Sequence, residues 1–458
     1  MPHFRRRSHL PYPPEEVFSW HMRPGAFTRL TPPWMQIREI EREGGIHDGG
    51  RILLGIRQGP AELKWEARHT AFEEGRLFQD EQVSGPFGKW IHTHRFLDAD
   101  DGGCLMEDDV EWAAPLGSAG RAFGEPFIEN ELERMFAFRH ARLRNDLDLH
   151  ARYGGGGKLT VAVTGSSGLM GKALCSLLET GGHRVLRLVR KGRGDGILLD
   201  ARGGPLDAGP LEGVDGVVHL AGEPIFGLRW TREKKKAILE SRSVGTESLS
   251  RALAGLERKP NVLVSASGAD FYGDRGSEIL TEDSRPGGGF MAEVCKAWEA
   301  ATGLATRAGI RVVRLRTGMV LSPAGGALGT MLLPFKLGLG GRLGSGRQYV
   351  SWIDLDDEVG LIYHAISTPG LRGPVNATSP YPVTNATFTD TLGRVLGRPT
   401  IIPIPALGVK ALFGEMGEAL LLEGARILPE KAQGSGYEFR YPALEDSLRF
   451  QLGRPEGI

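Results

Sequence analysis

The stretch Leu159-Thr160-Val161-Ala162-Val163-Thr164-Gly165-Ser166-Ser167-Gly168-Leu169-Met170-Gly171 runs an apolar strand directly into three glycines. Gly165 turns the backbone sharply off the strand, Gly168 lets it approach a phosphate closely, and Gly171 lets the following helix pack against the sheet. Free N–H groups at the start of that helix face an anion. Context carries this reading, because the chain has 66 glycines. Ala173 to Leu178 continue as an apolar helix, Gly181-Gly182 end it, and Arg184 to Val189 read as a second strand. The strand-turn-helix-strand unit predicts a dinucleotide site on Gly165, Ser167, Gly168, Leu169, Met170 and Gly171.

Outward from this unit, the second strand ends at Val189-Arg190-Lys191. An NAD site usually places an acidic residue there for the ribose 2′-hydroxyl, whereas a guanidinium suits a 2′-phosphate. Arg190 therefore points to NADP(H), the alternative being a solvated strand end. The fourth strand delivers His219-Leu220-Ala221-Gly222-Glu223-Pro224, whose small residues Leu220, Ala221 and Gly222 let backbone approach the adenosine side of the cofactor.

Length and charge bound the rest. A chain of 458 residues suggests two or three domains. Equal numbers of basic and acidic residues, 56 of each, argue against nucleic acid as a partner. Cys104, Cys175 and Cys295 are too few and too scattered for a disulfide framework or a zinc site. Met1 to Leu10 is basic but leads into Pro11-Tyr12-Pro13-Pro14 without an apolar leader segment, and no apolar run is long enough to span a bilayer. The cytoplasm is the expected location, and the oligomeric state is not legible.

The expected domains are 1–150, a glycine-rich linker 151–158, a nucleotide-binding domain 159–400 and a small C-terminal domain 401–458. The linker is Tyr153-Gly154-Gly155-Gly156-Gly157-Lys158. Before it, stretches such as Leu63 to Ala67 and Val110 to Ala113 alternate at period two, and Ile128, Leu132, Met135, Phe136, Leu143 and Leu147 mark one face of a long closing helix. An antiparallel sheet curled around that helix is expected. With the early phrase Pro13-Pro14-Glu15-Glu16-Val17-Phe18-Ser19-Trp20, this segment resembles the START-like, polyketide-cyclase-like (SRPBCC) helix-grip domains. The resemblance implies an apolar ligand between sheet and helix; a packed domain without one is the other reading.

After the linker, Val214 to Leu220, Asn261 to Ser267 and Arg311 to Leu315 are β-branched-rich runs, each following a helical pattern, which predicts an α/β doubly wound parallel sheet of Rossmann type. In the tail, helices are expected around Leu407 to Phe413 and Glu415 to Arg426, and a short strand at Tyr437 to Tyr441. The phrases Leu220-Ala221-Gly222-Glu223-Pro224-Ile225, Arg229-Trp230-Thr231, Ser241-Arg242, Phe271-Tyr272-Gly273, Lys296 to Ala301, Gly340-Gly341 and Ser351-Trp352-Ile353 carry a further resemblance. With Phe413-Gly414-Glu415, Pro429 and Gly436 to Phe439, residues 159 to 450 resemble atypical extended short-chain dehydrogenase/reductases, the epimerase-like branch with its small C-terminal domain. That resemblance implies that Arg242 and Val320 line the cofactor.

Hydride transfer at a carbinol carbon needs a group that gives or takes the hydroxyl proton. Short-chain dehydrogenases use a tyrosine one helical turn before a lysine. Here Lys296 is preceded at that spacing by Ala292, so the pair is missing. Ser267, Tyr272 and Lys296 remain the catalytic candidates, with a packed turn for Tyr272 and a surface position for Lys296 as the competing readings.

His92 and His94 share one strand face, but no third ligand stands at suitable spacing, so no metal is expected. Asp354, Asp356 and Asp357 read as a helix N-cap. Met331 to Arg347 reads as a glycine-rich flap, whose Lys336, Arg342 and Arg347 either suit an anionic substrate or are solvated. Two functions follow: an NADP(H)-dependent oxidoreductase or epimerase acting on a small molecule, or an NADP(H)-binding sensor or scaffold without turnover. In a third arrangement the N-terminal domain carries an apolar substrate to the second.

Overall fold

Proline at the first helical position and two glutamates in the first turn start a helix at Pro14–Met22 in the computed structural model. The structure describes residues 2–59, 61–114, 117–189, 197–198, 207–227 and 229–454. Two compact units are resolved. One runs to Arg152 and takes in Glu179–Gly182 and the segment from Phe450; the other holds Tyr153–Leu178 and His183–Arg449.

The first unit is a seven-stranded antiparallel sheet with a long helix, Gly117–Tyr153. The N-terminal strand His3–Leu10 pairs with Cys104–Ala113, which pairs with Lys89–Asp98, and this in turn with Leu77–Ser84. Strand Cys104–Ala113 buries Cys104, Met106, Val110 and Trp112 on its inner face, as period-two alternation requires. The helix answers with Leu132, Phe136, Leu143 and Leu147, all 4% exposed or less. Fully burying such side chains contributes roughly 1.5–3 kcal/mol each relative to exposure.

The second unit is built on a seven-stranded parallel sheet. Its order is Ile197–Leu198, Arg184–Val189, Thr160–Thr164, Gly216–His219, Val262–Gly268, Arg311–Thr317 and Gly373–Ala377. The order reverses between Thr160–Thr164 and Gly216–His219. A doubly wound sheet opens its ligand crevice at the carboxyl ends of the strands beside such a reversal. Strand Val262–Gly268 is buried at six consecutive positions, as a sheet covered on both faces demands.

The tail differs from the sequence expectation in two places. Helix Ala406–Phe413 forms, but the next helical stretch ends by Leu422, and Arg426–Ile427 pairs in parallel with Ile279–Leu280. Tyr437 to Tyr441 is not a strand. Its backbone donors are captured by a buried carboxylate instead: Arg440 N–H donates to Asp357 Oδ1 at 2.7 Å and Tyr441 N–H to Oδ2 at 2.9 Å. Asp354 caps helix Leu355–Ser367 by accepting from Asp356 N–H at 2.8 Å.

Candidate nucleotide-binding site

The turn after strand Thr160–Thr164 holds Gly165 at φ +68°, a left-handed conformation that an L side chain rarely adopts. A Cβ on Gly171 would stand 2.2 Å from the Gly165 carbonyl oxygen, so helix Leu169–Thr180 can cross the turn only with glycine there. Thr164 ties the turn to the neighbouring strand. Its hydroxyl accepts from Leu220 N–H at 3.1 Å and Ala221 N–H at 3.2 Å, and lies 2.8 Å from His219 Nδ1. Burial lowers His219 to about 4, so the ring is neutral. With Thr164 Oγ1 already accepting twice, its own proton goes to His219 Nδ1, and Nε2–H donates to Thr246 Oγ1 at 2.9 Å.

These loops bound a cleft of about 540 Å³. Gly165, Gly168, Leu169, Met170 and Gly171 line one side, Leu220 and Gly222 the next, and Arg242, Ser267 and Val320 also reach it. Ser167 is exposed in the same turn, and Ala221 lies between two lining residues. Arg190 lies outside the described residues. Met331 and Leu343 of the flap region line the cleft, as does Gln348 just beyond it, and Met331 to Lys336 belong to helix Gly326–Lys336.

Arg242, on helix Arg232–Ala254, is 6% exposed. Its Nη1 donates to the carbonyls of Glu223 at 3.0 Å and Ile238 at 3.2 Å, and its guanidinium lies 4.9 Å from the Trp298 ring centroid. Nε has no hydrogen-bond partner. A buried donor without a partner is costly, so Arg242 is held here at a price in stability. Burial lowers this arginine below its ordinary value, with Cys295, Asp270 and Glu223 opposing.

The three catalytic candidates part company. Ser267 lines the cleft and donates to Glu299 Oε1 at 3.0 Å. Tyr272 is fully buried behind it. The phenol donates to Asn376 Oδ1 at 2.7 Å and accepts from Arg316 Nη1 at 2.8 Å, so its hydrogen-bonding capacity is engaged. Lys296 is partly exposed and ion-paired with Glu293 on its own helix. Neither Tyr272 nor Lys296 is among the residues lining the cleft.

Sequence reading missed Asp270, Cys295 and Trp298, which line the cleft from two elements. Burial raises both the Asp270 carboxyl and the Cys295 thiol above their ordinary values. It also missed the Glu299–Arg316 pair, whose contacts are 2.7 Å at Nε and 3.0 Å at Nη2.

Comparison with known proteins agrees with this geometry. An epimerase family protein of Mycobacterium bovis is 43% identical over 297 residues, 64% of this chain and 98% of the relative. The chain belongs to the epimerase family. Within it, residues 161–378 match the NAD dependent epimerase/dehydratase family, residues 404–451 a domain of unknown function (DUF1731), and residues 10–138 the polyketide cyclase / dehydrase and lipid transport family. The crystal structure of a nucleoside-diphosphate sugar epimerase from Corynebacterium glutamicum shares 36% identity, covers 98% of this chain and 90% of its own, and superposes with a TM-score of 0.82. That of the human epimerase family protein SDR39U1 with NADPH shares 35% identity over 65% of this chain and 99% of its own, with a TM-score of 0.60. This epimerase family chain therefore joins a START-like domain to a Rossmann unit. Among the described residues no helix is long and apolar enough to cross a membrane.

Proposed function

We propose that this chain is an NADP(H)-dependent oxidoreductase or epimerase of the atypical extended short-chain dehydrogenase type, acting on a small molecule bound in the cleft. The observation that carries the reading is that Arg242, a buried guanidinium, lines the same cleft as the Gly165–Gly171 turn. A nicotinamide dinucleotide supplies a hydride donor or acceptor when bound. The residues present fit it: the turn offers free backbone donors at a helix start, and Arg242 a fixed cation for a phosphate or ribose oxygen. Arg190 at the end of the second strand and the NADPH of the human relative's crystal structure support NADP(H) over NAD(H). Ser267 is the hydroxyl presented to substrate, its proton held by Glu299 so that its lone pairs face the cleft. Lys336, Arg342 and Arg347 are exposed and none of them lines the cleft, so they are read as solvated charges rather than a site for an anionic substrate. Three free buried thiols suit the reducing cytoplasm.

One observation favours the second reading, a cofactor-binding sensor without turnover coupled to an apolar-ligand-binding N-terminal domain. Tyr272 and Lys296 are both committed elsewhere, and the described phenol that does line the cleft, Tyr349, has no lysine among the lining residues. Oxidation of NADPH is to be followed with a panel of small carbonyl compounds and nucleotide-linked sugars, in wild type and Ser267→Ala. Turnover that falls in the variant supports the enzyme. Tight NADPH binding with no oxidation across the panel supports the sensor.

A further inference from the structure

The START-like unit holds a second cluster of chemistry, independent of the nucleotide cleft. His92 and His94 alternate onto one face of strand Lys89–Asp98. The sheet register sets Asp80 directly opposite His92 on one neighbouring strand and Asp108 directly opposite His94 on the other. Each imidazole turns one nitrogen to each carboxylate. His92 Nε2 is 2.9 Å from Asp108 Oδ1, and His92 Nδ1 is 3.5 Å from Asp80 Oδ1. His94 Nδ1 lies 2.5 Å from Asp108 Oδ1 without the alignment of a hydrogen bond, and His94 Nε2 lies 4.0 Å from Asp80 Oδ1.

From this geometry we infer that Asp80, His92 and His94 form a binding site for a zinc-like divalent cation, with Asp80 Oδ1, His92 Nδ1 and His94 Nε2 as ligands. Ligands about 2.0–2.2 Å from a tetrahedral zinc stand roughly 3.3–3.6 Å apart. The separations of 3.5 and 4.0 Å from the Asp80 oxygen need a shift of only a few tenths of an ångström. The far nitrogens both face Asp108, which is 1% exposed, and Asp108 Oδ2 is held at 2.6 Å by His140 Nε2. A carboxylate behind each ligating imidazole is the arrangement that fixes tautomer and orientation at zinc.

Two further observations point to a cation here. His21, 5% exposed, has an open Nε2, and its ring lies 5.9 Å from that of His94, on hand for a water or ligand at a fourth position. The pair of carboxylates also demands positive charge. Asp80 and Asp108 converge on the two imidazoles from the strands on either side. Three protein ligands and an open fourth place match sites where zinc binds or activates a small molecule. The mixed nitrogen and oxygen donors suit zinc over calcium or magnesium.

The test is metal analysis of the full chain, purified without chelator and without a polyhistidine tag. About one equivalent of zinc per chain is expected. After stripping, cobalt(II) should restore one equivalent with the visible d–d bands of tetrahedral coordination. Asp80→Asn and His94→Gln should lose both, with cooperative thermal unfolding retained. His140→Gln, which touches the supporting carboxylate and Ser8 Oγ but no proposed ligand, should keep the bands and bind about 10–100-fold more weakly. Wild-type protein that takes up neither zinc nor cobalt would overturn the inference whether or not the variants fold. Folded variants that bind like wild type would overturn it equally.

Discussion

Ser267 donates its hydroxyl to Glu299 Oε1 at 3.0 Å, so the hydroxyl that faces the cleft is held by a carboxylate that also grips Arg316. Arg316 in turn donates to Tyr272, and Tyr272 to Asn376. The chain of contacts spans strands Val262–Gly268, Arg311–Thr317 and Gly373–Ala377, and Ser267 is its member that lines the cleft. Both members of the ion pair are 7% exposed or less.

Removing one partner of such a buried pair leaves a charge with nothing opposite it. Glu299→Leu should therefore lower stability by about 3–5 kcal/mol, and Glu299→Leu with Arg316→Met should recover much of that loss. Urea denaturation of the two variants checks this. Equal losses in both would show that the pair does not act as a unit.

Tyr272→Phe separates the two roles considered for this phenol. Loss of the hydroxyl leaves Arg316 and Asn376 each short of a partner and should cost about 1–3 kcal/mol. NADPH affinity should not move, because the phenol does not line the cleft. A fall in affinity at unchanged stability would instead put Tyr272 at the cofactor.

The glycine turn is legible in the sequence because its demands are local: a strand, a sharp turn and a helix within thirteen residues. The seven-stranded parallel sheet is legible for the same reason, one strand-helix unit at a time. What brings Asp270, Cys295 and Trp298 to Arg242 is tertiary packing of separate elements, and no spacing records it. Asp80 escapes notice beside His92 for a related reason: twelve positions apart in sequence, the two become neighbours only through cross-strand register. Tyr437 to Tyr441 carries aromatic, strand-like residues, yet Asp357 takes two of its N–H groups and no ladder forms.

Gly171→Ala should abolish the helix crossing over the turn, since its Cβ would stand 2.2 Å from the Gly165 carbonyl oxygen and 2.7 Å from Ser166 Cα, both backbone atoms. NADPH affinity should drop at least about tenfold, equal to ~1.4 kcal/mol. Fluorescence titration measures it. Wild-type affinity in a folded variant would remove this turn from the site.

Glu358 gives the fold a pH dependence. It is buried beneath the cleft, accepts from Thr317 at 3.0 Å, and is pushed up to about 8 by burial. The unfolded carboxyl titrates near its ordinary 4.5. Between those values the unfolded chain releases a proton that the folded one keeps, so stability falls as pH rises, by up to about 1.4 kcal/mol per pH unit, and levels off above the folded value. Asp357, raised to about 6 by burial, adds to the lower part of the same decline. Glu358→Gln keeps the acceptor for Thr317 and should flatten the upper part. Urea midpoints across this range that slope identically in wild type and variant would contradict the assignment.

The central claim is that the cleft at the Gly165–Gly171 turn binds NADP(H), and titration of the full chain with NADPH and with NADH, followed by nicotinamide fluorescence in wild type and Arg190→Ala, tests it most directly. The account predicts tight NADPH binding, weaker NADH binding, and a selective loss of NADPH affinity in the variant. Binding of neither nucleotide by folded wild-type protein would contradict it.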